Sequence, residues 1–334
     1  MRAAVYYGAG QPLALESLPD PEPGPNDVII EMHRCGICGT DLHMTEGGPW
    51  QFSPGTVPGH EYAGKVIECG SNVTHLKKGD LITALPSTGC GHCEACHRGN
   101  LALCHKAPGV MGGYAELMRI PSEVAIKLPA TLSAADGALI EPLAVGLYGV
   151  RIARIQPGDR ILILGAGSVG LCVIYWARRL GAARIAAMSR SERRAPTATA
   201  MGADAFISYG QNEVEAVTAA LGGPPDVVFE CVGSPGFLTK AVGHVRDFGQ
   251  VISMGFCTAP DPILPAVTGF KGVSLHFPVG YSLQDFNYVA DVMGKGHVDP
   301  KTLITSVITL SELPQRFEAL RGSHGETKVQ VRPR

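Results

Sequence analysis

Three features that direct proteins to particular partners are missing from this sequence of 334 residues. It has no excess of positive charge, since 28 Lys and Arg stand against 30 Asp and Glu, and the formal net charge of −2 argues against nucleic acid or an anionic membrane as a partner. It has no apolar run suited to crossing a membrane, because residues 161–177 are slightly short and are interrupted by Gly-Ala-Gly-Ser-Val-Gly. Its first residues show no apolar segment behind a basic start, so no secretory signal is expected.

Cysteine, in contrast, is plentiful and clustered. Ten cysteines occur, and four of them lie between residues 90 and 104. In a long chain without an export signal, such clustering favours metal ligation over disulfide bonds. We therefore expect a reducing, cytoplasmic setting. The length exceeds what one hydrophobic core usually serves, which predicts two domains.

A glycine motif marks the start of one domain. The aliphatic residues 161–164 break into Gly-Ala-Gly-Ser-Val-Gly, and apolar residues then recur at helical spacing until Gly181. This pattern predicts a strand, a tight turn and a helix whose N-terminus faces the phosphates of a dinucleotide. A glycine-rich turn that binds nothing is the alternative. The candidate contacts are Gly165, Gly167, Ser168, Val169 and Gly170.

Further apolar segments continue the same pattern. Residues 184–188, 226–233, 249–255 and 273–279 alternate with helical segments, as in a doubly wound parallel sheet. The carboxyl ends of such strands face the ligand crevice. The candidate cofactor contacts at these ends are Cys231, Val232, Met254 and Gly255.

The preceding part of the chain predicts an all-β, barrel-like module. Short strands are expected at residues 3–7, 28–33, 64–69, 81–85 and 115–120. Cys38 and His60 lie between these strands and offer the thiolate and imidazole that zinc prefers. Asp41 is a candidate partner for the far nitrogen of His60. A buried cysteine and a core histidine without metal are the alternative.

The cluster of four cysteines predicts a separate, structural zinc. Its spacing is C-x2-C-x2-C-x7-C, which completes a tetrahedral shell with no position left for substrate. Such an ion holds together a lobe with almost no apolar core of its own, at about residues 88–106. The four ligands are Cys90, Cys93, Cys96 and Cys104.

These motifs, in this order, resemble the zinc-dependent medium-chain dehydrogenase/reductases. The resemblance runs essentially end to end and implies a GroES-like β-barrel catalytic domain (residues 1–148 and 280–334) and a Rossmann cofactor-binding domain (residues 149–279). It also implies that Cys38 and His60 bind a catalytic zinc and that Glu61 can enter its shell. Thr40 and His43 resemble the proton relay of that family.

The third zinc ligand distinguishes branches of the family. Ethanol-type enzymes have a cysteine there, whereas sorbitol- and threonine-type enzymes have glutamate in a Glu-Pro-Leu motif. This chain has Leu139-Ile-Glu-Pro-Leu-Ala-Val145, so Glu141 resembles the carboxylate that binds zinc directly or through water. A glutamate in such an apolar run is also costly to bury unless it is paired or bound to metal.

The end of the second Rossmann strand indicates the cofactor. NAD enzymes normally present an acid there, but this chain has Ser189 followed by Arg190. A hydroxyl and a guanidinium suit a 2′-phosphate, so NADP(H) is expected over NAD(H). Glu192 could instead shift into the acidic position. Arg194 is a further candidate contact, or only the solvated start of a helix.

The C-terminal segment is expected to return to the first domain. Residues 328–331 alternate as a strand, and Lys328 resembles the basic residue that lies near the cofactor phosphates in the family; a solvated strand flank is the alternative. His297 and Asp299 show no recognisable pattern.

These features predict reversible hydride transfer between NADP(H) and a secondary alcohol or polyol and its ketone, with two zinc ions per chain. The alternatives are an NADPH-dependent alkene reductase on the same fold and a non-catalytic zinc and NADP sensor. We expect a small-molecule substrate, no nucleic acid, no membrane, and a homodimer or homotetramer.

Overall fold

The computed structural model describes residues 1–107, 109–296, 300–322 and 324–334 of the chain. His297 and Asp299 lie outside the described residues. The chain divides into two compact units, one formed by Met1–Glu141 and Gly280–Arg334, the other by Pro142–Val279.

The N-terminal part of the first unit is made mostly of short strands, as its Gly- and Pro-punctuated sequence predicts. Its elements are β1 (Arg2–Val5), β2 (Ala14–Ser17), β3 (Asp27–Gly36), α1 (Gly39–His43), β4 (Glu61–Cys69), β5 (Leu81–Ala84), α2 (Glu94–His97), β6 (Leu117–Pro121), β7 (Ala125–Lys127) and α3 (Ala134–Gly137). All five predicted strands form with shifted ends, whereas β2 and β7 were not predicted.

The chain then alternates between strands and helices. α4 (Ile140–Ala153) is followed by β8 (Arg160–Leu164), α5 (Ser168–Arg179), β9 (Arg184–Ser189), α6 (Ala195–Met201), β10 (Ala205–Ser208), α7 (Glu213–Leu221), β11 (Val227–Glu230), α8 (Phe237–His244), β12 (Gln250–Ser253), α9 (Pro265–Phe270) and β13 (Ser274–His276). The strand expected over residues 226–233 ends at Glu230, so Cys231 and Val232 lie in the loop after it.

The C-terminal part returns to the first unit. It contributes α10 (Leu283–Gly294), β14 (Ile304–Thr309), α11 (Leu313–Ala319) and β15 (Lys328–Arg332). β15 pairs with β3, with Val331 opposite Cys35 and Gln330 opposite Gly36. The predicted return strand is therefore confirmed, and its pairing register brings Lys328 beside the segment that leads to Cys38.

Two large sheets organise the units. In the first unit seven strands form a sheet in the order β14-β15-β3-β4-β5-β7, with β6 also pairing with β3. In the second unit six parallel strands have the order β10-β9-β8-β11-β12-β13, which is the doubly wound Rossmann order. The side chains of residues 161–164 are fully buried, because helices cover both faces of such a sheet.

Candidate metal centre and cofactor turn

The metal centre begins where β3 gives way to α1. Cys38 is the N-cap of α1, and its Sγ accepts a hydrogen bond from the backbone N–H of Thr40 at 3.4 Å. The side chain of Asp41 accepts from the backbone N–H of Cys38 and completes a capping box. The local sequence thus fixes the direction of the Cys38 thiol before any metal binds.

Asp41 also orients His60, as the sequence predicts. Its Oδ1 lies 3.0 Å from Nδ1 of His60, and its Oδ2 accepts a hydrogen bond from the hydroxyl of Tyr114 at 2.6 Å. Burial by itself raises the pKa of Asp41, but His60 and Tyr114 outweigh it and hold the pKa below its usual value. An ionised Asp41 accepts a hydrogen bond from the protonated Nδ1 of His60. The unprotonated Nε2 is then the atom that can bind a metal.

Glu61 lies next to these two groups and is paired with Lys328. The two Glu61 oxygens lie 2.6 and 2.7 Å from Nζ of Lys328, which also donates to the carbonyl of Ile37 at 3.2 Å. Burial alone would lower the pKa of Lys328, but Glu61 raises it above its usual value. Lys328 is only 2% exposed, so a solvated strand flank is the wrong interpretation of it. Gly36 is required here, because a Cβ at this position would collide with the Glu61 carboxylate.

Cys38, His60 and Glu61 each offer one ligand atom, and these three atoms lie within 4.8 Å of one another. Glu141 is not a member of this group of three. It is buried, and its carboxylate interacts electrostatically with His60 and Glu61. Burial raises the pKa of Glu141 to about 7, and Glu61 adds to this, while His60 and the hydroxyl of Tyr281 oppose it.

The donor set fits a zinc ion. A thiolate, an imidazole and carboxylates are its ligands in proteins, and two neighbouring buried carboxylates are costly unless a cation is near. Lys328 neutralises only one of them. Tyr114, Lys328 and Tyr281 are functional neighbours that the sequence did not reveal in these roles, because each comes from a distant part of the chain.

The predicted proton relay lies on α1. The backbone of Thr40 contacts Cys38, and Nδ1 of His43 lies 3.3 Å from a carboxylate oxygen of Glu46. Arg321, which follows α11, holds this helix by donating to the carbonyl of Leu42 at 2.8 Å. The side chain of His43 is 40% exposed, so it can exchange a proton with solvent.

The four-cysteine lobe forms as its spacing predicts. The sulfur atoms of the four cysteines, Cys90, Cys93, Cys96 and Cys104, lie within 4.8 Å of one another. None of the four forms a disulfide bond. Backbone N–H groups of Cys90 and Lys106 lower the pKa of Cys104 to about 6. Such N–H donors stabilise a thiolate, so the lobe fits a closed zinc site.

The glycine turn of the second unit forms between β8 and α5. Gly165 has a φ of +98°, and a Cβ on Gly170 would collide with the carbonyl oxygen of Gly165. Gly167 is the N-cap of α5. The Ser168 hydroxyl is buried and has no hydrogen-bond partner among the described residues, as expected of a group that awaits a ligand phosphate. Val169 follows it in the first turn of the helix.

The loop after β11 lies beside this turn, and the loop after β12 lies beside the loop after β11. A Cβ on Gly165 would meet Cys231 and Val232. Glu230 shapes the first loop by accepting hydrogen bonds from the N–H groups of Val232 and Gly233 at 2.6 and 2.8 Å. In the second loop, the N–H groups of Met254 and Gly255 bond the Glu230 carbonyl. The structure thus brings together the predicted strand-end residues.

Basic residues gather near the end of β9. Nη1 of Arg194 donates to the carbonyl of Ala166 at 3.3 Å, so Arg194 reaches the glycine turn. Ser189 ends β9, and its carbonyl accepts from the N–H of Tyr209 at 3.0 Å. Arg190 is exposed and interacts electrostatically with Tyr209.

Sequence analysis did not indicate that Tyr209 lies next to Ser189. The Tyr209 hydroxyl is buried without a hydrogen-bond partner among the described residues, and Nζ of Lys240 lies 4.1 Å from its ring centroid. The only signal in the sequence was its place directly after a strand, and β10 itself was not predicted.

Comparison with known proteins agrees with this architecture. Residues 24–130 match the model of the alcohol dehydrogenase GroES-like domain, and residues 168–295 match that of the zinc-binding dehydrogenases. None of the helices in the described part of the chain is long and apolar enough to span a bilayer.

Individual relatives extend over nearly the whole chain. The probable D-xylulose reductase A of Aspergillus clavatus is 33% identical over 93% of this chain and 91% of its own length. The sorbitol dehydrogenase of Bacillus subtilis is 30% identical, with 100% and 97% covered. A putative zinc-binding dehydrogenase from Sinorhizobium meliloti 1021, solved bound to NADP, is 31% identical with a TM-score of 0.91, and 99% of each chain is covered.

The GroES-like and Rossmann units, together with these relatives, define a zinc-type alcohol dehydrogenase, and the chain belongs to the medium-chain dehydrogenase/reductase family. Within it, the chain falls in the sorbitol dehydrogenase-like branch. It is an oxidoreductase of the zinc-containing, NAD(P)-dependent type.

Proposed function

We propose that this enzyme interconverts a secondary alcohol or polyol and its ketone with NADP(H). The observation that carries the proposal is the convergence of Cys38, His60 and Glu61 within 4.8 Å, beside a fourth candidate ligand, Glu141. The relatives named for sorbitol and D-xylulose support a polyol as substrate.

A zinc ion at this centre supplies Lewis acidity to a substrate oxygen. The residues of the chain then have separate tasks. Asp41 keeps His60 in the tautomer that binds metal, and Lys328 balances the charge of Glu61. A bound NADP would take up the hydride of the oxidised alcohol, and the reaction would release one proton. Thr40 and His43 would pass this proton to solvent, because the His43 ring is partly exposed and imidazole is a common general acid and base.

Replacement of Cys38 tests the proposed centre. Cys38→Ser should abolish ketone-dependent oxidation of NADPH while cofactor binding, followed by NADPH fluorescence, stays largely intact. Cys69→Ser is the control, because the Cys69 thiol donates to the Leu76 carbonyl and does not belong to either group of candidate metal ligands, so turnover should stay unchanged. Retained turnover in Cys38→Ser would refute a catalytic zinc. If the parent enzyme reduces enones but not ketones, it is an alkene reductase.

The preference for NADP(H) is a separate proposal. It is supported by Ser189 in place of an acid, by Arg190 next to it, and by the buried phenol of Tyr209 at the same strand end. Ser189→Asp should repel the 2′-phosphate and raise KM for NADP by at least about tenfold, a loss of about 1.4 kcal/mol. Ser191→Asp is the control, because Ser191 is exposed and lies two residues after Ser189. Faster initial rates with NAD in the parent enzyme would overturn this proposal.

We also propose a homodimer or homotetramer in the cytoplasm. In the second unit, the edge strand β13 is followed by Phe277, which is 62% exposed, and Phe270 before it is 96% exposed. Exposed aromatic side chains beside an open sheet edge are typical of subunit contacts, and free thiols need reducing surroundings. Light scattering of the purified protein tests the assembly, and a monomeric mass would exclude it.

A further inference from the structure

Glu141 is held by a side chain that lies 140 positions further along the chain. The hydroxyl of Tyr281 donates a hydrogen bond to Oε1 of Glu141 at 2.7 Å. Tyr281 is 5% exposed and Glu141 is 6% exposed. The other carboxylate oxygen of Glu141 accepts no hydrogen bond from any residue that the structure describes.

Tyr281 is itself held rigidly. The next residue, Ser282, is the N-cap of α10 and forms a capping box with Asp285, which fixes the backbone where the chain returns to the first unit. The Tyr281 ring stacks on Phe286 with a centroid distance of 5.9 Å and an interplanar angle of 6°, and Phe286 is fully buried. Because backbone and ring are both fixed, the hydroxyl has one available direction.

The two carboxylates near Cys38 and His60 are therefore held in different ways. Both oxygens of Glu61 face the ammonium group of Lys328, which neutralises its charge. Glu141 receives one hydrogen bond from a neutral hydroxyl, and its other oxygen accepts none from any residue that the structure describes. A zinc ion can bind such an oxygen and supply the positive charge that Glu141, unlike Glu61, does not receive from a lysine.

We propose that Tyr281 is a positioning residue for the metal centre. It occupies Oε1 of Glu141 and thereby directs Oε2 towards the zinc ion as a single-oxygen ligand. The inference rests on the proposed role of Glu141 in the metal site. Hydrogen-bond partners of metal ligands typically change metal affinity by about 10- to 100-fold when they are removed.

The chain offers a closely matched control for the test. Tyr62 is also buried, but its hydroxyl has no hydrogen-bond partner among the described residues. Tyr281→Phe and Tyr62→Phe therefore each remove one buried hydroxyl, and only the first removes one that contacts a candidate ligand. Glu141→Ala provides the reference for loss of the ligand itself.

Two measurements separate positioning from simple packing. Zinc affinity is measured by competition with a chelator, and the metal geometry by the visible absorption of the cobalt-substituted enzyme. Tyr281→Phe should weaken zinc binding about tenfold and shift the cobalt bands in the direction seen for Glu141→Ala, whereas Tyr62→Phe should change neither. The cobalt spectrum reports only folded, metal-loaded protein, so a loss of stability does not hide the result.

The outcomes distinguish the two levels of the argument. If Glu141→Ala leaves affinity and spectrum unchanged, the proposed metal role of Glu141 fails. If Glu141→Ala alters both but Tyr281→Phe matches the parent enzyme, or if Tyr62→Phe has an equal effect, Tyr281 has no positioning role.

Discussion

Asp41 shows how one side chain can serve both the local fold and the chemistry. It completes the capping box of α1, accepts a hydrogen bond from the hydroxyl of Tyr114 and lies next to Nδ1 of His60. Its side chain is fully buried. Its negative charge is maintained because these partners outweigh the effect of burial on its pKa. The capping role requires only an oxygen, but the role towards His60 requires the charge.

Asp41→Asn therefore separates the two roles. Asp41 is the third helical residue, and its side-chain oxygen accepts from the Cys38 N–H. The oxygen of asparagine can accept the same bond, so α1 should persist, but the neutral amide accepts a hydrogen bond from His60 less strongly. Zinc affinity at the catalytic site should fall about 10- to 100-fold, as measured by chelator competition. Asp136→Asn is the control, since Asp136 is an equally buried capping-box residue on α3. Equal effects of the two changes would contradict the predicted role of Asp41.

At the scale of elements, the glycine turn depends on contact between α5 and the loop before it. The position that a Cβ of residue 170 would take is occupied by the carbonyl oxygen of Gly165. The helix can approach the strand only because that Cβ is missing.

Gly170→Ala should force these two segments apart. The expected cost is about 1–3 kcal/mol of unfolding free energy, together with weaker binding of NADPH. Gly243→Ala on α8 is the control, because a Cβ there meets nothing within 4 Å and alanine favours a helix. Thermal unfolding and NADPH titration test both variants, and a Gly170→Ala enzyme with unchanged values would show that the turn can adjust.

Another link between elements lies at the amino end of the parallel sheet. Asp226, just before β11, accepts from Nε of Arg160 on β8 at 3.2 Å and from Nε of Arg246 after α8 at 2.6 Å. Burial alone raises the pKa of Asp226, but the two arginines outweigh it and lower the pKa below its usual value. A carboxyl group of this kind stabilises the folded state above its unfolded pKa, and the stabilisation is lost as pH falls through the folded value.

Asp226→Asn should remove this part of the acid sensitivity. The loss of stability should be about 1–3 kcal/mol at neutral pH, as for hydrogen bonds to charged groups, and should shrink towards acidic pH. Asp247→Asn, at an exposed neighbouring position, should leave the pH profile unchanged. Urea unfolding measured from pH 3 to pH 7 tests the prediction, which a pH-independent difference would contradict.

At the scale of the whole molecule, the two proposed zinc ions have different tasks. The four-cysteine lobe contains α2 and a single 3-10 turn, and neither has a buried side chain, while Cys104 beside them is buried. Its order must come from the metal, because ligation contributes directly to folding in lobes without a core. The centre at Cys38 has a rigid protein frame of its own.

Elemental analysis should therefore find about two zinc ions per chain. Cys96→Ser should lower the content to about one and reduce the unfolding temperature, since the lobe loses its ion. Cys38→Ser should also lower the content to about one but reduce the unfolding temperature less than Cys96→Ser does, because the residues around Cys38 are ordered by the protein itself. One zinc in the parent protein, or the same thermal effect for both variants, would refute this division of tasks.

The sequence alone determined the fold class, the glycine turn and the four-cysteine lobe. The turn and the lobe depend on spacing over a few residues, since Gly165 and Gly170 act within one turn and Cys90 to Cys104 lie in one loop. The pairing of Asp41 with His60 was also predicted, because both residues belong to recognisable motifs.

Only the tertiary structure decided which distant side chains meet. Lys328 was assigned to the cofactor phosphates by resemblance, yet its ammonium contacts Glu61 because β15 pairs with β3 in a register that places it there. Tyr281 reaches Glu141, and Tyr209 reaches the end of β9, through returns of the chain that leave no periodic signal. Local patterns fix local geometry, whereas contacts between different strands and helices depend on how the sheets pair and how the core packs.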